Sequence, residues 1–353
     1  MLGLHFSPAD GDAARHLQQL LSHCIDKANF LVPLKRLQTR FDVYAGTCPQ
    51  PLPATGLIVT GEIRRQSEIY LPLSEIVPAF CRLYREALQY RPILSSTPFY
   101  TALSWADVFS TLPQKFQFSP NPVRLLSALL DDRSLLEQFL FASFMPQRFY
   151  GASGCYGQQS EFVRQWLNVR PKNLISCLDA ACGTGENTYE LAEILQGHGY
   201  QAEDVYVEGW TREPLEVWCA AFRRFPHDPL KDKAAAVRRE ASAQKRLDGR
   251  IHFRCADLLE PRCGIDAAEG SFDLILCNGL LGGPIIHSTG DMDKVTESLT
   301  RLLAPGGLLL IDDRFHGGWK LCWQQEKLRC LFEVRGLAAV DVGGGFGVLK
   351  SAL

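Results

Sequence analysis

Residues 178–192 read LDAACGTGENTYELA: a carboxylate, Asp179, closes an apolar run, Gly-Thr-Gly follows, and a helix begins at once. Gly183 and Gly185 permit backbone angles closed to other residues, and without side chains they let a ligand touch the main chain. A dinucleotide fold uses G-x-G-x-x-G here to seat a pyrophosphate on the helix N-terminus. This stretch departs from that pattern, because Asp179 lies inside the turn and Thr188 stands where the third glycine would fall. An acid at the strand end repels a pyrophosphate and suits a ligand carrying positive charge. The same residues also make a strand-to-helix turn with no ligand, and the stretch alone leaves both readings open.

The elements that must position this turn alternate from about residue 146 onward. EFVRQWLNV predicts a helix, LISCLDAA a first strand, and GENTYELAEILQGHG a helix that ends at glycine. DVYVEGW is a second strand, followed by the helix EPLEVWCAAFRRF. RIHFRCADLLE gives a third strand with its exit loop, and SFDLILCNGLLGG a fourth. MDKVTESLTRLLA predicts a helix and GGLLLIDDRF a fifth strand; a last helix and two short strands, LAAVDVG and FGVLKSA, finish the chain. Such alternation, with near-continuous apolar strands, implies an α/β fold with a doubly wound, mostly parallel sheet. Ligands of such sheets bind at the carboxyl ends of the strands, near the topological switch point.

Residues 1–145 read differently. Helical stretches, AARHLQQLLSHCIDKANFLV and EIVPAFCRLYREALQY, surround an expected strand, GLIVTGEI, with Pro-rich punctuation after them. The chain thus divides into a mostly helical α+β region, 1–145, expected to serve as an accessory or substrate-recognition part, and an α/β domain, 146–353. The first region carries no repeat and no chemical motif.

A formal net charge of −2 gives no bulk reason to expect nucleic acid or an anionic membrane as partner. In HDPLKDKAAAVRREASAQKRLDGR the basic residues are interleaved with acids, which predicts a solvated helix. The twelve cysteines include no C-x-x-C and the eight histidines no H-x-x-x-H, so no metal site is indicated. The first residues lack the pattern of a signal peptide, and no window approaches the roughly 18 apolar residues of a spanning helix. A soluble, cytoplasmic protein is expected.

LDAACGTGE resembles the first motif of the class I S-adenosylmethionine-dependent methyltransferases, an acid followed by G-x-G-x-G, with Ala181 at the first glycine. CGTGENTYELA is similar to the chemoreceptor glutamate methyltransferases within that superfamily, and FDLILCNGLL and LTRLLAPGGLLLI also resemble that branch. The resemblance covers roughly 146–353 and implies a Rossmann-like methyltransferase domain with S-adenosylmethionine as cofactor. By that resemblance Asp179 and the backbone around Ala181, Gly183 and Gly185 hold the methionine part. Glu186 joins them or serves only the helix dipole. The family places a ribose-binding acid at the end of the second strand. Aligning VYVEGWTREPLE puts Gly209 there, with Glu208 one residue early, so Glu208 fills the role through a small bulge or is a solvated strand-end charge. Trp210 would then lie against adenine, or belong to the core. Asp257 accepts from the adenine amino group, with the Leu258 backbone along the ring, or it caps a turn. Arg148, Tyr150 and Tyr156, in the aromatic segment RFYGASGCYGQQSEFVRQWL, close over the cofactor or merely link the two regions.

Methyl transfer from a sulfonium is an in-line displacement, so alignment and exclusion of water do much of the work, and a base is needed only if the acceptor must lose a proton. The fourth-strand exit, LCNGLLGGPIIHSTGD, lacks the N/D-P-P-Y signature of base or amide-nitrogen methylation. Asn278 is a candidate contact to cofactor or substrate, and His287 is the candidate base, with a surface role as its alternative. Asp312, Asp313 and Arg314 face the expected substrate side or form a solvated cluster. RFHGGWKLCWQQEKLRCLFEVRGLAAV is too short for the receptor-docking insertion of the chemoreceptor branch. The sequence therefore predicts methyl transfer to a small molecule or a protein carboxylate. A non-catalytic module that keeps the fold for cofactor sensing or partner binding stays open beside it.

Overall fold

The computed structural model describes residues 3–145, 156–243, 248–260, 268–283, 286–312 and 323–352. Two compact units divide the chain: Met1–Ala13, Arg148–Arg224 and Lys233–Leu353 form one, and Ala14–Gln147 with Phe225–Asp232 the other.

The second unit is helical: α1 (Ala13–Gln18), α2 (Leu31–Thr47), α3 (Gly61–Tyr70), α4 (Leu73–Ala87), α5 (Pro98–Thr101), α6 (Trp105–Thr111), α7 (Pro122–Asp131) and α8 (Arg133–Phe144). Helix α4 buries Ile76, Ala79, Phe80, Leu83, Tyr84 and Ala87, a three-and-four spacing that turns one stripe inward. Phe80 meets Phe99 at 4.8 Å between ring centroids, and Tyr84 stacks on Phe139 at 6.0 Å while its hydroxyl donates to Ser143 Oγ at 2.9 Å. The strand expected at GLIVTGEI does not form. Leu57–Thr60 is irregular, Ile58 is 82% exposed, and Thr60 caps α3 by accepting the Ile63 amide. The long helix expected over AARHLQQLLSHCIDKANFLV is also interrupted: Leu21 bridges Leu88, and Asp26 caps a separate 3-10 turn at Lys27–Phe30.

The first unit is the sheet domain. Its strands are β1 (His5–Phe6), β2 (Ile175–Asp179), β3 (Val205–Thr211), β4 (Ile251–Cys255), β5 (Phe272–Asn278), β6 (Leu303–Asp312), β7 (Leu337–Asp341) and β8 (Phe346–Lys350). The order is β1-β4-β3-β2-β5-β6-β8-β7. From β4 to β6 the pairs are parallel; β1, β8 and β7 join antiparallel. Counted from β2, the parallel strands run 3-2-1-4-5, the doubly wound arrangement, and the winding reverses between β2 and β5. Strand β1 comes from the far N-terminus, a pairing that two residues of sequence do not announce.

Helices α9 (Gly157–Asn168), α10 (Glu186–Gly197), α11 (Pro214–Phe222), α13 (Thr289–Leu302) and α14 (Gln325–Glu333) accompany the sheet, and α12 (Pro229–Ala243) is the solvated helix expected there. Alternate strand residues face opposite sides. Leu178, Ala180, Trp210, Ile275, Cys277, Leu309 and Ile311 pack with Met292, Val295 and Leu299 of α13. On the other face, Asp179 meets Thr188 of α10, and Phe253 of β4 meets Tyr189. That parity decides which side chains reach the site.

Candidate active site

Asp179 is the last residue of β2, at the switch point, and is completely buried. Its Oδ2 accepts the Thr188 hydroxyl at 2.8 Å, while Oδ1 is buried without a hydrogen-bond partner among the described residues. Burial pushes its pKa from 3.8 up to about 6; the Thr188 hydroxyl and the nearby Ala181 amide pull it down, and the Glu186 charge adds to the rise. The turn that follows relies on its glycines. Gly183 has φ +52° and Gly185 φ +88°, and Gly185 caps α10. A Cβ on Gly185 would sit 3.0 Å from the Phe253 ring and 3.1 Å from Ala220 Cβ, so this glycine also serves packing. Thr184 donates its hydroxyl to the Glu186 carboxylate at 2.7 Å in the first helical turn. Cys182, between these groups, is buried, and its thiol is pushed well above its ordinary range by burial first and then by the charges of Asp179, Glu216 and Glu186. Three carboxylates therefore converge on one loop, and the field there favours a cation.

Glu208 does not reach this site. Leu178 pairs with Glu208 and Asp179 with Gly209, and the registers on both sides of β3 run without a bulge. Glu208 thus points to the face opposite Asp179, buried in mid-strand, where Arg254 Nε donates to its carboxylate at 2.6 Å. An acid at position 209 would not fit either: a Cβ there would lie 2.8 Å from the Phe253 ring and 3.0 Å from Thr188 Oγ1. The strand ends two residues later, at Thr211, which shares the face of Asp179 and donates its hydroxyl to Glu216 in the first turn of α11. Counting parity forward from Asp179 leads to Thr211; counting back from the helix led to Gly209. Trp210 is a core residue, on the α13 face and edge-on to Phe272 at 5.9 Å.

Asp257 and Leu258 follow β4 and are both buried. One Asp257 oxygen accepts the Leu259 amide at 2.9 Å, and the other accepts Arg212 Nε at 2.9 Å. The capping role is therefore realised, and an ion pair is added to it. Asn278 ends β5 on the same face as Asp179. With Tyr156, Gln159, Ser160, Asn187 and Glu190 it lines a solvent-open cleft of about 290 Å³ between α9 and α10. Leu276, the register partner of Asp179, stands in the same wall. Asp312 is buried at the end of β6 beside Asn278. His287 is exposed in the connection to α13, and its carbonyl accepts the Trp323 indole N–H at 2.8 Å. Arg148, Tyr150, Asp313 and Arg314 lie outside the described residues. Gln159, Thr211 and Glu216 were not singled out by sequence, since none belongs to a motif.

A family model for a methyltransferase domain matches residues 227–311. A highly reducing polyketide synthase of Aspergillus aculeatus is 24% identical over 193 residues, 53% of this chain, and the match spans 7% of that protein. Among solved structures, a methyltransferase dependent on S-adenosylmethionine from Aquifex aeolicus is 16% identical, with 63% of this chain and 96% of that one covered at a TM-score of 0.35. Geranyl diphosphate C-methyltransferase of Streptomyces coelicolor, solved with geranyl diphosphate and S-adenosylhomocysteine, is 17% identical, with 53% and 62% covered at a TM-score of 0.34. The strand order seen here is the doubly wound, Rossmann-like arrangement. The matched stretch, residues 227–311, takes in β4, β5, α13 and most of β6. No described helix is long and apolar enough to cross a membrane.

Two outcomes follow from this geometry. Glu208→Gln should leave affinity for S-adenosylhomocysteine within about twofold, and should lower folding stability by about 1–3 kcal/mol, because a largely buried ion pair loses one charge. Calorimetric titration and urea unfolding measure the two separately. Asp179 carries a raised pKa in the folded chain, so its neutral form favours folding at acid pH, and that contribution is lost as pH rises through about 6. Asp179→Asn should therefore stabilise the ligand-free protein at pH 8 by on the order of 1–3 kcal/mol while weakening cofactor binding. Equal stability of variant and parent at pH 8 would count against a strained carboxylate.

Proposed function

We propose that this chain transfers a methyl group from S-adenosylmethionine to a small organic acceptor, with the cofactor's methionine end held at the switch point. The observation that carries this reading is Asp179, a buried carboxylate with one oxygen that has no hydrogen-bond partner among the described residues, beside a turn of two left-handed glycines. An ammonium group fits that oxygen, and a buried ion pair replaces an unsatisfied one. The carboxylates of Glu186 and Glu216 near the same loop support a cationic ligand and disfavour a dinucleotide pyrophosphate. The cofactor supplies an activated methyl group on a sulfonium.

The chain's own residues supply placement. Asp179 anchors, the main chain at Gly183 and Gly185 allows close approach, and Glu216 presents a carboxylate at the end of β3. Asp257 and the backbone of Leu258 border the same strand edge. Tyr156 and Asn278 stand on the β5 side. Holding the reacting atoms in line and dry accounts for most of the rate such a displacement requires. His287 is exposed, which argues for an acceptor whose nucleophile needs no base from that residue.

S-adenosylhomocysteine should bind in calorimetry and raise the melting temperature, whereas NAD should do neither, because only a ligand selective for the folded state stabilises it. With methyl-labelled cofactor and a metabolite extract, label should appear in the low-molecular-weight fraction. Label confined to protein and labile to base would point instead to a protein carboxylate, and stabilisation by NAD alone would overturn the cofactor.

A further inference from the structure

Gln159 and Asn278 are separated by 119 residues and both are buried, yet each amide satisfies the other. Gln159 Nε2 donates to Asn278 Oδ1 at 2.9 Å, and Asn278 Nδ2 donates to Gln159 Oε1 at 2.8 Å. Asn278 Oδ1 takes a second donor, the backbone amide of Asp312, at 3.0 Å. The amide of Gly279 in turn donates to the Asp312 carbonyl at 2.8 Å. The first turn of α9 is thereby tied to the exits of both β5 and β6, at the carboxyl edge of the parallel strands.

Burying two amides adds little stability over an apolar pair of the same shape, since internal hydrogen bonds replace bonds to water. What the amides add is direction. Two apolar side chains tolerate sliding, whereas paired N–H···O bonds fix both distance and orientation. One turn before Gln159, on the same face of α9, stands Tyr156. Its hydroxyl lies 3.8 Å from the place a Cβ would take on Gly279, the residue that follows Asn278. The fixed turn of α9 therefore sets where the Tyr156 hydroxyl stands above the β5 exit.

We propose that the Gln159–Asn278 amide pair is a positioning device that holds Tyr156 against the cofactor, so that Gln159 affects binding only through Tyr156. This rests on the methyltransferase reading above. On this proposal Gln159 makes no cofactor contact of its own and acts by fixing the first turn of α9.

The test is a double-variant cycle on the full chain, read as the calorimetric Kd for S-adenosylhomocysteine. Gln159→Met keeps the length of the side chain and removes both bonds. It should raise Kd about tenfold, and Tyr156→Phe should do the same, while the combined variant should be no weaker than about the worse single change. A purely structural pair predicts a different pattern: affinity is kept in Gln159→Met, and combining it with Tyr156→Phe costs no more than Tyr156→Phe alone while the melting temperature falls. Additive losses would show that Gln159 acts independently of Tyr156, and unchanged affinity in Gln159→Met that it does not act on binding; either would overturn the proposal while parent binding still upheld the cofactor. No binding by the parent would remove the methyltransferase reading and this inference together.

Discussion

One buried carboxylate organises the sheet domain. Asp179 ends β2 at the place where the winding of the sheet reverses, and the parity of that strand turns it toward α10. There the Thr188 hydroxyl meets one of its oxygens, and the other has no hydrogen-bond partner among the described residues. An apolar residue would be the more stable choice at such a site. Its neighbours are shaped around it: Gly209, across the ladder, leaves room for Thr188 and Phe253, and Gly185 lets the chain turn back into α10 against the same ring. The cost is local, and the ammonium group of the proposed cofactor would offset it.

The same face explains what the sequence disclosed and what it hid. Asp179, Gly183 and Gly185 were legible because their types are rare in combination: an acid closing an apolar run, then positions where left-handed backbone favours glycine. The alternation of strands and helices after residue 146 was legible for a similar reason, since apolar runs and helix ends recur along the chain. Glu208 misled because a strand's side chains alternate, and an error of one residue in the starting point exchanges the two faces. Only the pairing of Asp179 with Gly209 fixes that starting point, and pairing is a property of two strands. The strand expected at GLIVTGEI failed for another reason. Thr60 serves as a helix cap, and the apolar residues before it pair with no strand among the described residues.

Contacts between distant segments were the least legible. Strand β1 is two residues long and contributes only where it lies along β4. Gln159 sits in an unremarkable stretch of α9 until Asn278 is placed opposite it. Amide pairs and short edge strands carry no periodicity, so their meaning comes entirely from tertiary structure. The site is accordingly read in two layers, a loop evident from residue type and a supporting frame evident only from geometry.

The central claim is that Asp179 without ligand titrates near pH 6, and that the ammonium group of the proposed cofactor would displace its proton. Proton exchange on binding measures this most directly: titrate S-adenosylhomocysteine at pH 6 in two buffers of different ionisation enthalpy. With a ligand-free pKa of about 6, binding should release about half a proton per site at pH 6, and almost none at pH 8. Asp179→Asn should remove the release. Equal proton release by parent and variant at pH 6, or none by either, would contradict the account.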